Sequence, residues 1–443
     1  MKPKESPDPS FYNGGRKTHW AVVAFAMIGS CMSGVTFVSV PGMVGTSGFG
    51  YLQMCLGFFL GYLVIAFVLT PLYFKLNVVS IYQYLENRFG LASYKTGAWF
   101  FFISKMLGAS VRLFLVCLTL QLLVFGPLGL PFWLNVICNV AVCLALTFRH
   151  GVKSVIGVDV VRTACMIVAV ALSIFFIGRD LGGIQIHERV FFFDDVNHPQ
   201  FFWKQLLGGL FTVIAMTGLD QDMMQRTLAC KHHRDSQKNL IVSSLLQTVV
   251  IAGFLCLGAL LYQFAALHGI PETGDRLFPA VATSGLLPAV VGVLFVLGLV
   301  SSAYGAGGSA LTSLTTSFTV DILHKAGHVK VRKAVHLAMA ALMAVTIVVF
   351  NALNSTSAID AVYKLGSYTY GPILGLFAFG ILTKKQVKDR FVPIVALLAP
   401  AICLVLQLNS ERWFGGYKFS YELLLLNATL TFLGLSLLIK REA

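Results

Sequence analysis

The chain has 443 residues, of which 57% are hydrophobic and 12% are charged, with a mean hydropathy of +0.79 and a formal net charge of +14. Soluble domains carry about twice that charged fraction, so this composition excludes a soluble enzyme or binding module. The positive charge does not indicate nucleic-acid binding, because most basic residues lie in short loops and tails around long apolar runs. This pattern is typical of a polytopic helical membrane protein.

Apolar runs of roughly 20 residues, the length that crosses a bilayer as a helix, recur along the whole chain. We therefore predict an all-α membrane protein of about twelve spans. The spans are numbered here in chain order and keep these numbers below: 19–46, 48–74, 96–126, 130–148, 154–178, 200–224, 239–265, 284–322, 333–351, 358–382, 391–408 and 419–439.

Basic residues are distributed unevenly between the two sets of loops. If the N-terminus is cytoplasmic, 23 of the 33 lysines and arginines lie on the cytoplasmic side and only six lie outside. This bias predicts an integral protein of the cytoplasmic (inner) membrane, with both termini in the cytoplasm. The nine cysteines avoid the external loops, so no structural disulfide is expected. The chain has no nucleotide-binding P-loop, which argues against an ATP-driven pump.

Two spans carry helix breakers near their centres. Span 1 contains Gly29, Gly34 and the pair Pro41-Gly42, and span 6 contains Thr217-Gly218. These are the first spans of two five-span sets, an arrangement typical of inverted-repeat secondary transporters. Glycine-mediated helix packing is the alternative explanation. On the transporter interpretation, residues 1–443 form a single transmembrane domain with a first repeat (19–178), a second repeat (200–382) and two additional spans (391–439).

Four ordered motifs resemble the sodium/solute symporter family of bacterial proline, galactose and sialic acid transporters, which has a leucine-transporter-like core. They are SGVTFVSVPG, MTGLDQDMMQRTLACKHHRDSQKN, SALTSLTTSFTVDIL and GSYTYGPILGLFAFGILTKK. The resemblance covers about residues 12–385 and is closest to the sialic acid and sugar-type members. It implies a five-plus-five core and alternating-access uptake of a small polar organic solute, such as a sugar, a sialic acid or another carboxylate.

The resemblance also suggests where the solute binds. Ser33 and Thr36 match hydroxyls that hold the substrate carboxylate in sialic acid transporters. Arg112 either anchors a substrate carboxylate or pairs with a backbone carbonyl, since the relatives' arginine maps one turn earlier, to Gly108. The sugar-ligating position of relatives falls at Cys55, which weakens the case for a galactose-like substrate. The complete set of predicted substrate residues is Ser33, Thr36, Phe37, Arg112, Met216, Thr217 and Tyr363.

In this family, sodium sits between spans 1 and 8, and the span 1 carbonyls map to Gly29 and Met32. Counting back from Asp321 places the usual pair of serines at Gly305-Ala306, which have no side-chain oxygen. Sodium needs about five or six oxygens, so the loss of two is serious. Ser302 and Ser309 lie one turn to either side of that position, where they could contribute to a shifted site.

Span 5 offers a replacement for the ion. Asp159 resembles the acidic residue that the family places beside its ion sites, and Arg162 stands three residues later on the same helix face. One hypothesis is that Arg162 replaces the cation, which leaves a sodium-independent exchanger, a facilitator or a proton-coupled carrier. The other is that Arg162 only neutralises Asp159 in an ordinary sodium symporter with a shifted site. Sodium is thus the only bound ion under consideration, and no cofactor is expected.

A membrane-embedded enzyme and a non-transporting sensor are the two other classes of function. A membrane-embedded enzyme is not expected, because His19, Asp159 and Ser309 have no nucleophile–base spacing. A non-transporting sensor remains the alternative from another class. The expected partners are a small-molecule solute and membrane lipid, with no nucleic acid. A monomer is compatible with the sequence, which does not define the oligomeric state, the substrate or the coupled ion.

Overall fold

The computed structural model describes residues 19–32, 34–76, 81–147, 152–183, 191–198, 200–228, 230–323, 329–353 and 358–440. These residues are almost entirely helices and their connections. Within these ranges the only β-type pairing is one isolated bridge between Val387 and Ile439. The predicted all-α class follows from the sequence because lipid cannot hydrogen-bond the backbone, so an apolar span must satisfy its own amides and carbonyls.

A helix lies at each of the twelve predicted spans. Eight are long and apolar enough to cross a membrane, and the bent pair in span 1 makes a ninth; spans 4 and 12 contain shorter apolar helices. The bounds in span order are Trp20–Cys31 with Gly34–Ser47, Tyr51–Val64 with Thr70–Leu76, Leu91–Leu120, Phe132–Thr147, Val152–Asp180, Phe202–Val213 with Gln221–Thr227, His233–His268, Ala289–Ser317, Val329–Leu353, Ala358–Leu382, Val392–Trp413 and Leu423–Leu437.

Both predicted breaks are present. The two helices of span 1 meet at an angle of 55°, and Met32, between them, has extended backbone angles. Span 6 passes through a π-helical turn, Ile214–Gly218, and then an extended residue, Asp220, before the short helix Gln221–Thr227 begins. The Asp220 carboxylate caps this helix by accepting from the N–H groups of Asp222 and Met223. Spans 1 and 6 therefore each contain irregular backbone in their interior.

Spans 2 and 6 pack in backbone contact beside these breaks. A Cβ atom at Gly57 would lie 2.2 Å from the carbonyl oxygen of Leu206, and one at Gly209 would lie 2.3 Å from that of Met54. Small residues allow membrane helices to approach this closely. The contact fixes span 6 against span 2 and so sets the position of the span 6 break.

We expect Gly57→Ala or Gly209→Ala to destabilise the protein by about 1–3 kcal/mol, because the added methyl would overlap a carbonyl that cannot rotate away. The measurement is the apparent melting temperature of purified protein in detergent. Gly253→Ala in span 7 is the matched control, since no atom lies within 4 Å of its added Cβ. Equal melting temperatures for all three variants would contradict the close packing of spans 2 and 6.

Candidate functional site

A cavity of about 90 Å³ lies beside the span 1 break. Its walls come from spans 1, 2, 3, 6, 7 and 10. Five of the predicted substrate residues line it: Thr36, Arg112, Met216, Thr217 and Tyr363. Backbone groups that the helix breaks set free therefore lie close to side chains with hydroxyl and guanidinium groups at one place in the membrane interior.

Two other predicted substrate residues are not placed at the cavity. Ser33 lies outside the described residues. Phe37 is fully buried elsewhere, with its ring 5.8, 5.3 and 5.2 Å from the ring centroids of Phe254, Phe278 and Phe295. Successive helix positions point about 100° apart, so Phe37 faces this aromatic core while Thr36 faces the cavity.

Aromatic side chains close one end of the cavity. The hydroxyls of Tyr51 in span 2 and Tyr363 in span 10 are 2.7 Å apart. Phe58 lines the cavity and packs beside both rings, and Tyr421 packs against Tyr363 with 5.0 Å between ring centroids. We call Tyr51, Phe58, Tyr363 and Tyr421 the aromatic lid. It lies at the start of spans 2, 10 and 12.

Arg112 is a partly buried cation in the cavity wall. In the part of the chain that the structure describes, it forms no hydrogen bond and no ion pair. Gly108 lies one turn earlier, and a Cβ added there would meet no atom within 4 Å. A charged side chain at membrane depth without a counter-charge is costly, at roughly 2.5 kcal/mol or more. Its guanidinium is therefore available to an anion in the cavity.

Arg162 occupies the junction of spans 1, 5 and 8. Only 2% of the residue is exposed. Its guanidinium donates to the carbonyl oxygen of Gly29 and, at 3.3 Å, to the carbonyl oxygen of Ser302. Gly29 supplies one of the carbonyls that the sequence analysis assigned to sodium. A positive charge from span 5 thus lies against backbone oxygens of both spans that hold the ion in the family.

The other residues of the predicted ion site are only partly gathered there. Met32 is buried beside the break, and the Ser302 hydroxyl is fully buried without a hydrogen-bond partner. Gly305 and Ala306 contribute no side-chain oxygen. The side chain of Asp159 lies outside the described residues, so its pairing with Arg162 stays a prediction.

Ser309 belongs to a different group of residues, which sequence reasoning missed. Its hydroxyl contacts the carboxylate of Asp222 at 3.1 Å and accepts from Arg226 at 3.1 Å. Arg226 also pairs with Asp222 at 3.5 Å and donates to the hydroxyl of Ser30 in span 1. The i, i+4 spacing of the two charges in the LDQDMMQR motif was a signal for this pair.

Lys105 completes this group. Although Lys105 lies near the cytoplasmic end of span 3, only 7% of the residue is exposed. Its ammonium lies 3.2 Å from the Asp220 carboxylate and 3.3 Å from that of Asp222. Tyr370 donates to Asp220 at 2.8 Å. We call Lys105, Asp220, Asp222 and Arg226 the inner charge cluster. Its two acids balance its two bases, as a buried ionic group requires.

Several known proteins resemble this chain in sequence and in fold. Residues 11–389 match the model of the sodium:solute symporter family. The sodium/iodide cotransporter of Homo sapiens is 23% identical over 394 residues, which cover 84% of this chain and 60% of the relative. A sodium/sialic acid symporter of Aliivibrio fischeri is 26% identical over 426 residues, which cover 90% of this chain and 82% of that protein. The chain thus matches about three fifths of the human relative's length.

Two solved structures share the fold. A Na⁺-coupled sialic acid symporter in a substrate-bound outward-open state aligns with a TM-score of 0.78 at 18% identity, covering 98% of this chain and 93% of that one. Mhp1, a nucleobase-cation-symport-1 family transporter in a closed conformation, aligns with a TM-score of 0.62 at 12% identity, covering 98% and 94%. These similarities confirm the predicted fold class.

Proposed function

As this chain belongs to the sodium:solute symporter family, we propose that it carries a small carboxylate across the membrane by alternating access, with Arg162 in the place of the family's sodium ion. The observation that carries the substrate proposal is the Arg112 guanidinium, which lines the cavity and has no counter-charge among the residues that the structure describes. A bound anion removes the cost of that charge, whereas a neutral solute leaves it in place.

The surroundings of Arg112 suit a carboxylate. Guanidinium groups bind carboxylates through two parallel hydrogen bonds, and the hydroxyls of Thr36 and Thr217 also line the cavity. Iodide, sialic acid and monocarboxylates, which appear in the names of relatives, are all anions. The cavity of about 90 Å³ is far smaller than the pockets of about 300–1,000 Å³ that hold drug-sized ligands, which favours a small carboxylate over a sialic acid.

The contacts of Arg162 support its role as a fixed cation. A guanidinium that donates to the Gly29 and Ser302 carbonyls supplies the charge that sodium supplies in the family. Gly305 and Ala306 leave too few oxygens to replace the water shell of a sodium ion. The protein is then a sodium-independent exchanger, a facilitator or a proton-coupled carrier.

A second candidate is a sodium-coupled symporter with a shifted ion site. It is favoured by the Ser302 hydroxyl, which is fully buried without a hydrogen-bond partner. Leaving a buried hydroxyl unpaired costs about 1–3 kcal/mol. A cation beside Ser302 would remove that cost.

The remaining proposals concern the domain organisation, the location and the partners of the protein. We assign the two five-span repeats to residues 19–178 and 200–382 and the additional spans to residues 391–439, all in a single transporter domain. The excess of basic residues in one set of loops supports an inner-membrane location with cytoplasmic termini. The proposed partners are the solute and the surrounding lipid.

Arg112→Gln should weaken carboxylate transport about 10- to 100-fold in apparent affinity, because a charge-assisted hydrogen bond contributes about 1.5–3 kcal/mol. The measurement is the KM for uptake of a panel of small carboxylates into proteoliposomes. The double variant Gly108→Arg/Arg112→Gly should recover part of the affinity, since Gly108 faces open space one turn away. Gly108→Gln/Arg112→Gly adds similar bulk without charge and should not recover it. An unchanged KM in Arg112→Gln would rule out the anchoring role.

Uptake by the wild type should be equal in sodium and choline buffers, because the Arg162 guanidinium already places a positive charge beside the carbonyls of the ion site. Arg162→Gln alone should lose transport, since it leaves those buried carbonyls without the cation. The triple variant Arg162→Gln/Gly305→Ser/Ala306→Ser restores the missing hydroxyls and should acquire sodium-dependent uptake. Strict sodium dependence of the wild type would refute the substitution. If Ser302→Ala then removed that dependence, the shifted ion site would be supported instead.

A further inference from the structure

The inner charge cluster and the aromatic lid lie on opposite sides of the cavity. On span 3, Lys105 precedes the cavity residue Arg112 by seven positions, and on span 10, Tyr370 follows the lid residue Tyr363 by seven. Seven residues of α-helix extend about 10 Å. In the predicted orientation, both steps lead from the cavity toward the cytoplasm.

The cluster ties the inner part of span 6 to three other spans. Asp220 and Asp222 contact Lys105 of span 3, Asp220 accepts from Tyr370 of span 10, and Asp222 contacts Ser309 of span 8. Separating span 6 from these spans requires all of these contacts to break.

The same cluster holds two residues of the cavity wall. Arg226 donates to the hydroxyl of Ser30, and Asp220 accepts from the backbone N–H of Met223. Ser30 and Met223 both line the cavity. A solute that displaces either residue acts directly on the contacts of the cluster.

We propose that the inner charge cluster is the cytoplasmic gate of the transporter, with the bond between Arg226 and Ser30 connecting the gate to the cavity. The gate opens when Lys105 separates from Asp220 and Asp222 while span 6 moves away from spans 3, 8 and 10. This inference depends on alternating access and on the predicted orientation, and it is independent of the roles proposed for Arg112 and Arg162.

Charged groups suit a gate that must open to water. Buried ions lose hydration, and their pairing offsets that loss, so closed and hydrated states are close in free energy. An apolar plug of similar size would instead expose apolar surface on opening, which strongly favours the closed state. Because the two acids balance the two bases, the closed gate also leaves no uncompensated charge within the cluster.

Labelling of the native cavity residue Cys31 tests the gate without knowledge of the substrate or the coupled ion. A membrane-impermeant methanethiosulfonate reagent is applied to right-side-out and to inside-out membrane vesicles, and modification of each cysteine is quantified by mass spectrometry. Lys105→Met should raise the rate of Cys31 labelling from the cytoplasmic side at least about tenfold, with little change from outside, because it shifts the population toward an inward-open state. Lys105→Arg keeps the charge and should retain most of the protection.

A variant of the aromatic lid should change labelling from the external side instead. Tyr51→Phe removes its hydrogen bond to Tyr363 and should raise Cys31 labelling from the external side only. Lys418→Met is the matched control, because it breaks an exposed ion pair with Glu411 at 3.2 Å and should change neither rate. Labelling that is unchanged in Lys105→Met, or raised equally from both sides, would overturn the gate assignment.

Cys230 reports on folding in the same experiment. It is fully buried in the loop between spans 6 and 7, and burial raises the pKa of its thiol to about 11, so it should stay unlabelled in every folded variant. If Cys230 becomes labelled in Lys105→Met, that variant is misfolded, and the milder variant Tyr370→Phe is used to test the gate. Tyr370→Phe removes one hydrogen bond from Asp220 and should give a smaller rise on the cytoplasmic side alone. No side-specific rise in Tyr370→Phe would then overturn the proposal.

Discussion

Breaking a helix inside a membrane frees backbone groups that lipid cannot hydrogen-bond. The residues around the break in span 1 must therefore supply hydrogen bonds to these groups. Arg162 satisfies one of these backbone groups, and Arg226 holds a side chain beside it. Arg162 donates to the carbonyl of Gly29, and Arg226 donates to the hydroxyl of the next residue, Ser30. Two adjacent residues at the end of the helix Trp20–Cys31 are thus held by cations from spans 5 and 6. The position of the cavity wall depends on both arginines.

The buried cations of the protein are stabilised in different ways, and the difference separates their roles. Lys105 and Arg226 are paired with Asp220 and Asp222, so their charges are balanced within the protein. Arg162 donates to the backbone carbonyls of Gly29 and Ser302 at the junction of spans 1 and 8. Arg112 has neither kind of partner among the described residues. Of these four cations, Arg112 is the one that lines the cavity, where a solute can reach it.

The sequence was sufficient for the spans, the breaks and the family, because hydropathy, helix breakers and four motifs are local signals. Five of the residues that it predicts to bind the solute, Thr36, Arg112, Met216, Thr217 and Tyr363, line one cavity, and their binding role stays a prediction. The contacts of Ser309 and Lys105 were missed, because their partners lie on or cap a short helix, Gln221–Thr227, whose position within the bundle no local pattern reveals. Phe37 does not line that cavity, because it faces a different direction on the helix from its neighbour Thr36 and packs against Phe295.

Under the proposed function, a cation that belongs to the protein changes the energetics of transport. A bound sodium ion crosses with the solute and contributes the energy of its gradient, whereas the charge of Arg162 is retained by the protein at the end of each cycle. A carboxylate that crosses without a companion cation meets the membrane potential, at about 2.3 kcal/mol per elementary charge for each 100 mV. An inside-negative potential then opposes net entry of the anion. This opposition favours exchange of one anion for another, or entry together with a proton, over uptake of the anion alone.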